Sequence, residues 1–546
     1  MALSLSAEQK ELIKIFKIEE QYIIPEYQRP YSWKYDQCLT LYNDIMEGYI
    51  NSEDYFIGNI IIAKNDIDKY KFEVIDGQQR LTTILLLLKV LSVFSPETKV
   101  LHSCLEQEDW ENTNTQPRLV SKVFESEDGE ELKEVLSFTK NNFEKILEKC
   151  IDRKGDFSTR NCKNKFQENI MFFYNWIAFY VNKNNDLKDF IKFILQRVYL
   201  LPIELGGTTV DDARNKALKI FETLNNRGMS LTDADIFKSK LYGKAEKAGE
   251  INRFKTAWKD LRNNCEFNNI EIDDVFRYYS HIIRGKEGKT TSEINLREFF
   301  TRLEYSPFNL KNYDEILEDL FHIIEALEFI KEEKIKETEL AKWLQLIELY
   351  TNQYPKIALV VFLVIYKNEG INVSKLIDFL KNLIRYAYFQ GSTTTIKFEI
   401  YNIIKDVCAK KEINSYVEDI VENNFNSLGG LKFGYALLAF YLKRHVALRS
   451  FNIDKLVTYK DEKYLSESWT IEEIKKIDNQ IGNFVVLDIP KKNITIDKKV
   501  NYYNTSMLDE VKDLSIKLSN SFSLENFQTR NEELKKIIID FFQGKI

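Results

Sequence analysis

Phe72-Glu73-Val74-Ile75-Asp76-Gly77-Gln78-Gln79-Arg80-Leu81-Thr82-Thr83 runs directly into the apolar series Ile84 to Leu88. Strand-favouring residues lead into an Asp-Gly pair, a polar Gln-Gln-Arg follows, and Thr, Ile and Leu then continue at the density of a buried helix. The stretch reads as strand, tight turn, helix. Gly77 lets the backbone turn sharply, while Asp76, Gln78, Gln79 and Arg80 gather a carboxylate, two amides and a guanidinium at the open N-terminus of that helix. Such an end carries unpaired N–H groups and partial positive charge, so it receives anions. Arg80 adds a planar fork of donors suited to a phosphate. The same letters would also serve as an Asp-Gly turn capping a core helix; the company the motif keeps separates the two readings.

Upstream, Tyr22-Ile23-Ile24-Pro25-Glu26-Tyr27-Gln28-Arg29-Pro30-Tyr31-Ser32-Trp33 has two prolines bracketing Tyr-Gln-Arg. They exclude a helix and hold the segment extended, displaying Gln28 and Arg29. Tyr35 to Tyr49 has helical spacing. Tyr55 to Ala63 and Tyr70 to Ile75 look like two strands around an Asn65-Asp66 turn, a hairpin that delivers the chain to Asp76. Met1 to Lys17 reads as an amphipathic helix and not as a secretory signal.

Downstream, residues 101–186 are polar and helical, with a loop-like patch at Glu106 to Arg118. Val198 to Leu205 is a strand ended by Gly206-Gly207. Ala217 to Lys238 reads as a helix, an Asn225-Asn226-Arg227-Gly228 turn, and a second helix capped by Thr232 or Asp233. Asn225 and Arg227 stand at the turn, within reach of a ligand. From Leu241 to about Asn426 nearly everything has helical periodicity, and His281 and His322 fall on apolar faces as packed core histidines. The last part begins near Gly429-Gly430, passes through a basic helix over Tyr435 to Arg449 and closes in an amphipathic helix over Asn531 to Phe542.

At 546 residues the chain exceeds a single core. Its 77 basic and 84 acidic residues give a net charge of −7, so any DNA contact must come from local basic patches. Six scattered cysteines, with no C-x-x-C pair, point to reduced thiols and away from a structural zinc. Ile84 to Leu88 is too short to span a bilayer. A cytoplasmic protein is expected.

Tyr27 to Trp33, Phe56-Ile57-Gly58, Asp76 to Arg80 and Phe221 to Lys238, in that order, resemble the GmrSD-type family of prokaryotic restriction and phage-defence proteins. The resemblance implies an α+β, mainly α-helical chain in three parts. Residues 1–245 would form a ParB/sulfiredoxin-like nucleotide-binding domain with a helical insertion at about 101–190. Residues 246–428 would form a helical bundle, and residues 429–546 an HNH-like domain. The Asp-Gly-Gln-Gln-Arg motif of such proteins supports nucleoside triphosphate binding and hydrolysis. This assigns catalysis to Asp76, Gln78, Gln79 and Arg80, and nucleotide binding to Gln28, Arg29, Gly77, Asn225, Arg227 and Lys238, with Mg²⁺ as the expected divalent cation.

The C-terminal pattern departs from the family. Its Asp-His-Ile-x-Pro motif would fall on Ile453 to Thr458, which puts Lys455 where the histidine belongs and Thr458 where the proline belongs. Asp454, Asn483 and Asn493 match, and the metal ligands stay unknown. An HNH site needs a neutral imidazole to deprotonate water beside a divalent metal. Lysine, with an ordinary pKa of about 10.4, is protonated and cannot serve. His445 lies in the basic helix and does not fit the motif's context. The domain is therefore expected to be degenerate.

Three functions follow from the resemblance. The first is a nucleoside triphosphatase that gates action on foreign or modified DNA. The second is a non-catalytic nucleotide or DNA sensor or scaffold working with a separate nuclease. The third is an active endonuclease with an altered HNH site. The expected partners are DNA, a partner nuclease or defence protein, and a second copy of the chain; no membrane is expected.

Overall fold

The computed structural model describes residues 5–16, 21–65, 71–108, 115–152, 155–183, 187–207, 212–214, 216–217, 232–290, 294–350, 353–389, 393–413, 432–465, 469–519 and 522–546. The fold is α+β and mainly helical. The backbone divides into two compact units, residues 1–259 and 260–546. Among the described residues no helix is long and apolar enough to cross a membrane.

The first unit is built on a mixed seven-stranded sheet. Its strands are β1 (Leu5–Ala7), β2 (Lys10–Glu11), β3 (Gln21–Ile24), β4 (Tyr55–Asn65), β5 (Lys71–Asp76), β8 (Leu119–Ser121) and β9 (Val198–Gly207). They lie in the order β1-β9-β4-β5-β3-β8, with β2 also on β9. β4 and β5 form the expected antiparallel hairpin. β3 runs parallel to β5, pairing Tyr22 with Phe72 and Ile23 with Glu73. The carboxyl ends of these two neighbours therefore emerge side by side, β3 into the proline-bracketed segment and β5 into Asp76-Gly77.

Helix α3 (Gln78–Phe94) follows at once. Leu81 and every residue from Ile84 to Leu88 are fully buried. A helix apolar all round must be surrounded, and α3 packs between the sheet and the helix Lys165–Asn182, which supplies Phe166, Ile170, Phe173 and Ile177 to the same core.

Several expectations are corrected. The N-terminal segment is not one amphipathic helix: Leu5–Ala7 and Lys10–Glu11 pair with β9, and only α1 (Leu12–Phe16) is helical. The patch at Glu106 to Arg118 holds a small hairpin, β6 (Glu106–Glu108) with β7 (Thr115–Pro117), and β8 just beyond it completes the sheet edge. The helix in the last part spans Lys432–Leu442 and stops short of Arg449, leaving exposed His445 outside any helix.

The second unit gathers the helices expected from periodicity, Ile272–Lys286, Tyr313–Glu333, Glu339–Leu349, Tyr354–Tyr366, Val373–Phe389 and Thr393–Cys408. His281 is buried there with its ring 5.6 Å from that of Tyr401. Beyond them, β10 (Asn452–Lys455) and β11 (Phe484–Leu487) pair antiparallel, and the helix Ile496–Tyr503 follows. Trp343 stacks on Phe541, ring centres 5.6 Å apart, and Arg385 Nε donates to the Phe541 carbonyl at 2.8 Å, which joins the bundle to the terminal helix Leu524–Phe542.

Candidate functional site

The turn at Asp76-Gly77 demands glycine on two counts. Gly77 has φ +87°, and a Cβ there would lie 2.5 Å from Ile60 Cγ2. As the N-cap of α3 it brings no side chain to the first N–H groups of the helix, so that end stays open. Gly58 on β4 has a matching role. Its φ is +136°, it sits at a register irregularity against β9, and a Cβ would stand 3.1 Å from Arg80 Nη1. Arg80 lies over this gap, its Nη1 donating to the Asn59 carbonyl.

The glutamines act on the backbone of residues 28–33. Gln79 Oε1 accepts the N–H groups of Ser32 (2.9 Å) and Trp33 (3.2 Å), and its Nε2 donates to the Pro30 carbonyl at 3.1 Å. Gln78 Nε2 donates to Gln28 Oε1 (3.3 Å) and to the Arg29 carbonyl (3.2 Å). Gln28 Nε2 returns to β5 through the Ile75 carbonyl at 3.0 Å. All three amides are buried. A buried amide must find partners, and here the partners are the loop itself, which is thereby clamped to α3.

Gln28, Arg29, Trp33 and Ile75 to Arg80 enclose a cavity of about 200 Å³. Two guanidiniums, from Arg29 and Arg80, and one carboxylate, from Asp76, converge on it. Arg29 Nε is buried and has no hydrogen-bond partner among the described residues. An orphaned buried donor is costly, and a cationic one calls for an anionic acceptor. Burial pushes the Asp76 carboxyl above its ordinary range, opposed by Arg80, the Gly77 N–H and Arg29. The cavity is smaller than pockets that hold a whole drug-sized ligand, about 300 to 1,000 Å³, and has room for the phosphate end of a nucleotide. Among the described residues no group of three or more His, Cys, Asp or Glu could hold a metal unaided. A single carboxylate together with the phosphates of a substrate is a usual Mg²⁺ environment, and Asp76 fits that pattern.

Lys238 does not line this cavity. Its buried Nζ donates to the Gln28 carbonyl at 3.1 Å and pairs with Glu125. Thr232 caps the helix Asp233–Ala248, on which Lys238 lies. Asn225 and Arg227 lie outside the described residues.

In the second unit Asp454 is buried, accepting from Tyr503 Oη at 2.9 Å and paired with Lys499 Nζ at 3.4 Å. Lys455 pairs with Asp478. The buried Asn483 amide spans Val457, accepting its N–H at 2.8 Å and donating to its carbonyl at 3.0 Å. Asn493 is exposed, 3.5 Å from Lys460 Nζ. Asp454 is thus brought together with Lys499 and Tyr503, while Asn483 braces Val457 and Asn493 stands apart.

Sequence reasoning missed three supports, all from the polar stretch 101–190. Asp128 Oδ2 accepts the Tyr31 N–H at 2.7 Å. Asn169 Nδ2 donates to Tyr31 Oη at 3.0 Å and to the Trp33 carbonyl at 2.8 Å, and Tyr31 Oη meets Thr83 Oγ1 at 2.7 Å. Glu125 pairs with Lys238. None carried a signal in the sequence, since Asn169 stands among the polar Gln167, Glu168 and Asn175 of the same helix.

Residues 11–242 match the family described as GmrSD restriction endonuclease, N-terminal domain. No curated protein matches the chain. The matched span contains the whole of the cavity, both glycine positions and the loop clamped to α3. Residues 11–242 therefore carry a GmrSD-type N-terminal domain, which supports a place for the chain among GmrSD-type restriction proteins.

Proposed function

We propose that the cavity binds the phosphate end of a nucleoside triphosphate, and that its hydrolysis there gates action on foreign or modified DNA. The observation that carries this reading is the unpaired, buried Arg29 Nε beside Arg80 at the uncapped start of α3. Two guanidiniums and a helix N-terminus are an anion site. Phosphoryl transfer requires little of a protein beyond placement and charge stabilisation. In this reading Arg29 and Arg80 hold phosphate oxygens, Asp76 orients the attacking water and accepts its proton, and Gln28, Gln78 and Gln79 keep the Arg29 segment in place. Asp76 is the carboxylate that would help hold a Mg²⁺, which would supply charge neutralisation for the phosphates. The test is phosphate release by the full chain from a panel of nucleoside triphosphates. Wild type is expected to release phosphate and Asp76→Ala to release none above background; equal rates would refute the assignment.

We infer further that the last part of the chain does not cut DNA by itself and that cleavage belongs to a separate nuclease. Asp454 is held by Lys499 and Tyr503, and lysine occupies position 455. A carboxylate engaged in this way, with no imidazole beside it, lacks the general base that hydrolysis needs. Nicking of plasmid DNA with Mg²⁺ or Mn²⁺ decides the matter, since cleavage abolished by Asp454→Ala would overturn this reading.

A further inference from the structure

We propose that the buried Lys238–Glu125 pair, together with Tyr242 and Lys255 on Glu26, is a positioning device that sets where Arg29 stands in the cavity. It rests on the reading of that cavity as a nucleotide site and concerns residues outside its lining.

The helix Asp233–Ala248 grips the segment before Arg29 at two points. Lys238 and Glu125 have side chains only 2% and 5% exposed. Lys238 Nζ donates to the Gln28 carbonyl at 3.1 Å and lies 4.7 Å above the Phe124 ring. One turn further on, Tyr242 Oη donates to Glu26 Oε2 at 2.6 Å, and Lys255 Nζ reaches the same oxygen at 2.7 Å. Between these anchors the Tyr27 ring packs on that of Tyr242, centres 5.6 Å apart. Residues 26, 27 and 28 are therefore fixed from one side by this helix, while Gln78 and Gln79 fix residues 28–33 from the other. Arg29 follows, its Nε buried and without a partner among the described residues.

A buried ion pair contributes little net stability over an apolar pair of the same volume, and a backbone carbonyl can be satisfied more cheaply than by a buried lysine. What the lysine supplies that methionine would not is a directed bond to one carbonyl oxygen. Glu125 then serves to keep that ammonium charged in a dry place. The pair acts through Gln28 on Arg29, so its removal moves substrate affinity more than turnover.

The test compares wild type, the Glu125→Leu/Lys238→Met double variant and Tyr242→Phe, all as full chains. Replacing both charges together avoids stranding one of them, and Tyr242→Phe keeps the ring while removing its donor. Hydrogen exchange of residues 26–33 is read first, without nucleotide. It is expected to quicken in both variants while α3 is unchanged, an outcome independent of whether nucleotide is turned over. Steady-state hydrolysis is then expected to show KM raised about tenfold in the double variant and about threefold in Tyr242→Phe, with kcat within a factor of about two. Unchanged exchange and unchanged KM in Tyr242→Phe, or in a folded double variant, overturn the proposal. Faster exchange in variants of a protein whose wild type turns over no nucleotide would instead overturn the reading of the cavity.

Discussion

Gln78 donates its amide N–H to the main-chain carbonyl of Arg29, at 3.2 Å. The motif on α3 thus reaches the other arginine of the cavity through its backbone and not through its guanidinium, whose Nε has no partner among the described residues. With Gln79 and Gln28, Gln78 joins residues some fifty positions apart in the chain into one wall.

Arg29→Ala should separate affinity from stability. The side chain it removes includes a buried donor with no partner among the described residues, so stability should change little, by under about 1 kcal/mol, or rise. Nucleotide binding should weaken at least tenfold. Calorimetric titration beside a urea unfolding curve measures both.

Gln79→Leu should do the reverse. It strands the Ser32 and Trp33 N–H groups and the Pro30 carbonyl, each an unsatisfied group costing about 1 to 3 kcal/mol if it stays buried. A loss of about 2 to 4 kcal/mol is expected in urea unfolding of the first unit, since some of these groups regain water. Gln79→Glu keeps the acceptor and should cost less.

Gly77→Ala places a methyl group 2.5 Å from Ile60 Cγ2 at a φ of +87°. Left-handed strain alone costs about 1 kcal/mol or more, and the clash adds to it. The variant should melt several degrees lower and lose phosphate release along with the shape of the turn.

Asp76 gives a pH signature. Burial raises its pKa in the folded state above the unfolded value, so the folded protein holds that proton more firmly. Its contribution to stability is therefore most favourable at low pH and is lost as pH rises through the raised value. Asp76→Asn should gain stability relative to wild type over that interval and then stay level. If Asp76 accepts the proton, kcat/KM should rise with pH along an acid limb displaced above the ordinary carboxylate range. Thermal melts and pH–rate profiles from pH 4 to 8 check the two effects.

Much of the first unit could be read from the chain because its signals are local. Asp76-Gly77 marks a turn through the conformational freedom of one residue, and the run from Leu81 to Leu88 declares a buried helix by apolar density alone. The N-terminus was misread although Leu3-Ser4-Leu5-Ser6-Ala7 alternates with the period of a strand; edge strands this short carry too few residues for the period to stand out. β8, a strand of only three residues, was hidden for the same reason. Asp128, Asn169 and Glu125 escaped notice because a single polar residue means nothing until the fold brings its partner near. The resemblance assigns Gln79 to catalysis, whereas the geometry gives both ends of its amide to the loop. Spacing tells which residues gather, and only the folded chain tells which partners an amide finds.

The parallel pairing of β3 with β5 carries a last consequence. Both halves of the cavity are launched from adjacent rungs of one ladder, so their offset is quantised: a slip by one rung would shift Arg29 by about 3.3 Å against Asp76 and turn alternate side chains to the opposite face. Natural variation in this wall should consequently arrive as exchanges of side chains, and insertions or deletions between Gln21 and Arg29 or between Lys71 and Arg80 should be lethal to it.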